Sequence, residues 1–307
     1  MKTLGVNWNL SPPDLLGLLK GRPTQFWGLD IVHPPPGALK QAPSVGGLVY
    51  SVSPNPGQHL PYVFISPPKE GKAAREIVPT ATLKPGIEYG LKGWQKHNNG
   101  SLPEVLFMCR DGVGDTMLDF VLQEELPAIR AAAKAVYGQQ QMPDIFILTT
   151  TKRHVTRFFK SKDDSNKSGA FDQKGNPLPG LIVDEQIVSR VRDDWYAVAH
   201  KCLQGMSKGA HHIRLYDELH LLKDQLEQLV HNLSFIYPRS VTSVSIPTPV
   251  KLADRLCERA KTRMRNVYFP SEEERARRSG TWSPRDDGNF LGQPSVHPDI
   301  RDTMYYI

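Results

Sequence analysis

No apolar stretch of this sequence approaches the length needed to cross a bilayer, which argues against a membrane-spanning helix. Cysteine is scarce. Cys109, Cys202 and Cys257 lie far apart and none forms a C-x-x-C pair, so neither a zinc site nor a disulfide framework is indicated, and a reducing compartment fits. The opening, MKTLGVNWNLSPPD, has no apolar core of signal-peptide type and starts abruptly, which suggests a piece of a longer protein. There is no internal repeat. Charge of one sign does not dominate either: 38 Lys and Arg face 32 Asp and Glu, a net of +6. An anionic partner is compatible with that balance without being required by it. What remains is a chain of 307 residues, which suits one large domain or two small ones, with ample length for a buried core.

Short β-rich runs recur in the first half. TQFWGLDIV (24–32), GGLVYSVS (46–53) and PYVFIS (61–66) are separated by Pro/Gly-rich turns and read as consecutive antiparallel strands. PEVLFMCRD (103–111) and DIFILTTTKRH (144–154) read as further strands, with a helix from about 116 to 137 between them whose Leu118, Val121, Leu122, Ile129 and Ala133 share helical spacing. Pro127 is expected to kink that helix. HIRLYD (212–217) is another strand. Asp224 and Glu227 resemble a capping box opening QLEQLVHNLSFIY, where Leu226, Leu229, Val230, Leu233 and Ile236 form one apolar face. Pro249 suits the start of a last helix, VKLADRLCERAKTRM. Residues 161–176 and 270–290 are polar, charged and rich in turn formers, and read as mobile loops. The pattern as a whole predicts an α/β fold, a mixed sheet with helices on its faces.

One residue sits oddly in that pattern. FWGLDIVHPPPGA places Asp30 near the end of an apolar strand, and an ionised carboxylate in a core is costly unless it is paired or holds a metal. Asp111 ends another strand in the same way. Ligands of such sheets gather at the carboxyl ends of strands. Taken singly, Asp30 reads as a turn-capping residue, Asp111 as part of an Asp-Gly turn, and Asp254 as a solvated acid near a helix N-terminus.

In combination the motifs are more specific. GLDIVHPPPG followed by PSVGGLVYSV resembles the opening of a eukaryotic Argonaute PIWI domain, and CRDGVGD, TKRHVTRFF, GNPLPGLIVDEQI, SVSIPTP and the C-terminal DTMYYI continue that resemblance in order over essentially the whole chain. The resemblance implies a single PIWI domain over 1–307 with a ribonuclease-H-like fold, its first 22 residues a leading segment and its N, PAZ and MID partners missing. It implies cleavage of an RNA strand paired to a small guide RNA, with two Mg²⁺ or Mn²⁺ ions as cofactor. Two such ions about 4 Å apart activate the attacking water and stabilise the leaving oxygen. Hard ions of this kind take carboxylate oxygens.

Carried over residue by residue, the resemblance makes Asp30, Asp111 and Asp254 metal ligands and Glu76 the acid completing a catalytic set of four, with Glu70 its nearest rival. Many animal members have His where this chain has Asp254; Asp favours a hard ion. Lys152, Arg153 and His154 match a segment gripping the guide backbone, and His200, Gln204, Lys208 and Ser245 match further backbone contacts. Arg259 and Lys2 match residues near the guide's 5′ phosphate. The family often has Gly-Thr-Ser-Arg-Pro where this chain has Gly-Met-Ser-Lys-Gly (205–209), a loss of one hydroxyl and of the bidentate guanidinium. The resemblance further implies Gly-Trp-rich silencing proteins as partners, no membrane, and a cytoplasmic or nuclear location. A non-cutting RNA-binding silencing factor and an interaction scaffold are the competing readings.

Overall fold

The computed structural model describes residues 15–19, 21–38, 42–66, 78–161, 169–269, 271 and 296–307. The strands are β1 (Thr24–Val32), β2 (Ser44–Ser51), β3 (His59–Ser66), β4 (Val105–Asp111), β5 (Asp144–Thr151), β6 (Leu181–Val183), β7 (Asp193–Val198) and β8 (Ala210–Asp217). They make one eight-stranded sheet in the order β3-β2-β1-β4-β5-β8-β7-β6. The central β1–β4 and β4–β5 pairs are parallel and the flanking pairs antiparallel. Four longer helices cover it: α1 (Thr80–His97), α2 (Leu118–Tyr137), α3 (Lys223–Asn232) and α4 (Thr248–Arg263).

The central strands are buried on both faces, as parallel strands beneath helices must be, so successive residues serve opposite cores. Trp27, Leu29 and Ile31 join Leu106 and Met108 in the core beneath α1 and α2. Phe26 joins Phe107, Cys109, Phe146 and the apolar face of α3 on the other side. There Val45 and Val49 of β2 meet Leu252, Ala253 and Leu256 of α4. The period-2 alternation assigns Asp30 and Asp111 to this second side, the side of α3 and α4.

Helix α1 has no counterpart in the sequence reading. Pro85, Gly86, Gly90 and Gly93 lie inside it and depress helix propensity. Its glycines exist for packing: a Cβ at Gly86 would lie 2.7 Å from the Tyr62 ring and one at Gly90 2.5 Å from the Tyr50 ring. Strands β6 and β7 also went unread, being short and set between turns. Helix α2 runs through Pro127 as one continuous helix of 20 residues.

The capping box expected at Asp224 and Glu227 is displaced. Helix α3 starts at Lys223, and the backbone N–H of Leu222 donates to Gln225 Oε1 at 3.3 Å. Asp224 falls in the first turn instead, where the helix dipole favours an acid. The helix stops at Asn232 rather than running on to Tyr237, yet Leu233 and Ile236 remain fully buried in the turns beyond. Pro249 does open α4. Of the expected loops, 169–176 is a turn closed by a bridge between Phe171 and Pro177, while 162–168 and most of 270–290 lie outside the described residues. The leading segment is described only from Leu15, where a single helical turn spans Leu15–Leu18.

Candidate active site

Asp30 and Asp111 are brought together by strand pairing. In the parallel β1–β4 ladder Leu29 pairs with Arg110, so the next residue of each strand, Asp30 and Asp111, stands side by side at the strand ends. Neighbours in adjacent strands project to the same face, about 5 Å apart. Each carboxylate is oriented by backbone: Asp30 Oδ1 accepts from the N–H of Ile31 at 2.8 Å, and Asp111 Oδ1 from the N–H of Gly112 at 2.7 Å. Gly112 takes the left-handed conformation (φ +77°) and ends the strand with its backbone close to Asp30.

Helix α4 delivers the third acid. It packs directly on β1 and β2 because two glycines permit it. A Cβ on Gly28 would sit 2.0 Å from the Pro249 carbonyl oxygen, and one on Gly47 2.8 Å from Cys257 Sγ. The Cys257 thiol donates to the Asp30 carbonyl at 3.3 Å, tying the helix to the strand end. Asp254, one turn earlier, thereby joins Asp30 and Asp111 around a cavity of about 240 Å³, with His33, Gly112, Arg153, Glu258 and Lys261 also on its walls.

The electrostatics report crowding. Burial, followed by the charge of Asp111, raises the Asp30 carboxyl to about 6, with Arg110 opposing and Asp254 adding to the rise. Burial also pushes Asp111 up, Asp254 adds to it, and the Gly112 N–H, Arg110 and Arg153 oppose. Arg110 projects to the other side of the sheet, completely buried, with Nε 3.2 Å from Glu125 Oε1 of α2. It also donates to the Asp111 carbonyl oxygen. This guanidinium is a fixed positive charge behind both strand-end acids.

Three carboxylates crowded in a polar cavity are hard oxygen donors that repel one another, and that donor set fits a hard divalent cation. Among the described residues, however, no three acidic, imidazole or thiol side chains converge closely enough to enclose a metal. Asp254 has cationic neighbours on its own helix. Its Oδ2 is 2.6 Å from Lys251 Nζ and 3.4 Å from an Arg255 guanidinium nitrogen. The fourth expected acid, Glu76, with its rival Glu70, lies outside the described residues.

The residues matched to guide contacts divide. Arg153 is in the acid cavity itself. Lys152, half-buried, is held below the usual lysine range by burial and then by the positive charges of Lys251 and Lys208. His200 is lowered by burial and by Lys152. Lys251 and Lys208 are thus positive charges near Lys152, and His200, held towards its neutral form, is a further neighbour of Lys152. His154 packs inward: its Nε2 is 2.9 Å from the Gly209 carbonyl and its ring meets Tyr196 edge-on at 5.2 Å. Gln204 is exposed on the 201–209 loop and Ser245 is half-buried before α4. Arg259 is exposed on α4, near Tyr305 of the C-terminal segment. Lys2 lies outside the described residues.

Several residues of the site escaped the sequence reading. Lys251, Glu258 and Lys261 lie three before, four after and seven after Asp254, so helical spacing alone places them on its face. Asn176 anchors the 205–209 loop, its Oδ1 accepting from the Ser207 N–H at 2.9 Å and its Nδ2 donating to the Gly205 carbonyl at 3.2 Å. Nothing local in GNPLPG signals that role.

A mixed sheet with a parallel centre, acids at adjacent strand ends and a further acid from a covering helix defines a ribonuclease-H-like domain. The comparisons with known proteins narrow this. The Piwi domain family matches residues 1–265, and the chain belongs to that family. Protein argonaute 2 of Oryza sativa subsp. japonica is 30% identical over 298 residues, covering 94% of this chain and 27% of its own length. The argonaute of Schizosaccharomyces pombe is 32% identical over 254 residues, covering 82% of this chain and 28% of its own. The chain thus spans little more than a quarter of these relatives. Among solved structures, Kluyveromyces polysporus Argonaute with a guide RNA superimposes with a TM-score of 0.80 at 28% identity, over 100% of this chain and 35% of that one. The C-terminal lobe of a budding yeast Argonaute gives 0.79 at 28% identity, over 96% of this chain and 57% of that one.

Proposed function

We propose that this domain is the cutting module of a guide-directed RNA endonuclease. The observation that carries the reading is the placement of Asp30 and Asp111 side by side at adjacent parallel strand ends, with Asp254 on the wall of the same cavity. Asp30, Asp111 and Asp254 would hold two Mg²⁺ or Mn²⁺ ions, with Glu76 completing the set. Bound there, the ions would supply the activated water and the charge that stabilises the leaving oxygen.

The chain's own groups do the remaining work. The backbone N–H groups of Ile31 and Gly112 fix the two strand-end carboxylates. Arg153 and Lys261 bring positive charge to the cavity and attract the phosphate of the strand to be cut. Lys152, Lys208 and His200 take the phosphates of the guide, a sequence-independent grip that suits an arbitrary guide whose bases are read by pairing. Lys2 and Arg259 serve the guide's 5′ phosphate. The activity of the whole relatives also draws on segments beyond this chain, and the proposal extends to them as a guide-holding half acting with this one.

The second reading, a non-cutting RNA-binding factor, is favoured by one observation: the Asp254 carboxylate is occupied by Lys251. The deciding experiment is cleavage of a labelled RNA paired to a 5′-phosphorylated guide in Mg²⁺ or Mn²⁺, with Asp111→Ala as control. A single cut opposite the guide that disappears in the variant supports the endonuclease. No cut by either, even with a guide-holding MID domain supplied in trans, supports the non-cutting factor.

A further inference from the structure

We infer that Lys251 is a two-position cation that holds Asp254 away from metal until a polyanion draws it off, so that nucleic-acid binding and metal binding at this site are coupled. The inference rests on the proposed reading of the three acids as metal ligands, and deepens it.

Lys251 and Asp254 are three apart on α4, with Nζ and Oδ2 2.6 Å apart, and each side chain is 25% exposed. That contact is short for an ammonium–carboxylate pair and is partly shielded from water, so it is worth more than a surface pair. An ammonium at 2.6 Å takes up an oxygen that a divalent ion would need.

Lys251 also has a cationic neighbour: Lys152 stands near enough to both Lys251 and Lys208 for their positive charges to act on it. Such a grouping is self-repelling while empty and favourable once a phosphate backbone enters it. A lysine on a flexible four-carbon stem can swing between the two partners, where the planar fork of arginine would be held to one. Arg255, 3.4 Å from the same Oδ2 and 39% exposed, is the longer and more exposed contact.

The two positions give a linkage. A phosphate that draws Lys251 off Asp254 removes the competitor of the metal, and a metal at Asp254 releases Lys251 to the phosphate. Each ligand must tighten the other by the same factor.

The test is Mn²⁺ binding to the metal-stripped protein, read by electron paramagnetic resonance of unbound Mn²⁺, so that cleavage is not the readout. Lys251→Met keeps the unbranched side chain, shorter by one atom, and the helix propensity while removing the charge. Without nucleic acid, Lys251→Met is expected to bind Mn²⁺ at least about five-fold more tightly than the parent chain, the lower range of ordinary coupling. A 5′-phosphorylated single-stranded RNA should tighten Mn²⁺ binding in the parent chain by a similar factor and by clearly less in Lys251→Met. In an Asp254→Asn background the Lys251→Met gain should vanish. Equal Mn²⁺ affinity in the parent chain and Lys251→Met, or weaker binding in the variant, overturns the inference and leaves the acid site standing. Failure of every form to bind Mn²⁺ overturns both the inference and the metal reading beneath it. An unchanged melting curve identifies a folded variant; should Lys251→Met not fold, Lys251→Gln replaces it in the same series.

Discussion

A carboxylate that is 6% exposed and shares its cavity with two others ionises reluctantly. Asp30 titrates near 6 because of burial first and Asp111 second. Its folded value lies above its unfolded value of 3.8, so the folded chain holds the proton longer. The stability contributed by protonated Asp30 is present below about pH 4 and is lost as pH rises through about 6. Asp30→Asn should therefore stabilise the metal-stripped protein at neutral pH by up to about 3 kcal/mol, the worth of two pH units. Thermal melts at pH 4 and pH 7.5 check this: the variant's gain should be confined to the higher pH. The same variant should lose metal binding, the trade expected where a strained site serves function. At this scale the sequence was most legible for strand-borne acids, because an Asp ending an apolar strand is conspicuous. It was least legible for Lys251, Glu258 and Lys261, which look like an ordinary charged helix face until α4 is seen lying on β1.

Elements decide where those residues meet. Strand β1 and helix α4 approach at Gly28, where a methyl group would collide with the Pro249 carbonyl at 2.0 Å. That neighbour is backbone and cannot rotate away. Gly28→Ala is expected to cost about 3 kcal/mol and to lift α4, weakening Mn²⁺ binding. Denaturant melts and Mn²⁺ titration measure the two effects. On the opposite face, Glu125 of α2 faces Arg110 with both side chains fully buried. Glu125→Ala removes the carboxylate facing a buried guanidinium and is expected to cost about 3–5 kcal/mol, again read in denaturant. Most strands, α2 and α4 were readable because apolar period and turn residues agree in them. Helix α1 was not, since its glycines answer to Tyr50 and Tyr62 in distant strands rather than to helix propensity. The start of α3 was misplaced because Asp224 fits a cap by type, while the backbone turn falls two residues earlier at Leu222.

Two buried histidines titrate in the opposite sense to Asp30 in acid. His59 and His212 are buried and burial lowers each to about 3. Their folded values lie below the ordinary 6.5, so the folded state binds fewer protons and stability is lost as pH falls from about 6.5 towards 3. His59→Phe should lower the pH at which the protein unfolds, followed by circular dichroism during acid titration. On the proposed reading, Lys152, Lys208 and Lys251 would also make binding of single-stranded RNA salt-sensitive. Lys152→Ala should reduce the slope of log affinity against log salt by about one while weakening all sequences alike.

The acid cavity draws on β1, β4 and α4, whose contributions begin at Thr24, Val105 and Thr248. A ribosome making this chain releases the first two acids long before the third. The sheet centre joins strands separated by β2, β3 and α1, and Asp254 arrives only when α4 docks. A nascent chain that has not yet made α4 therefore lacks the third acid, and cutting competence, on the proposed reading, waits for that helix.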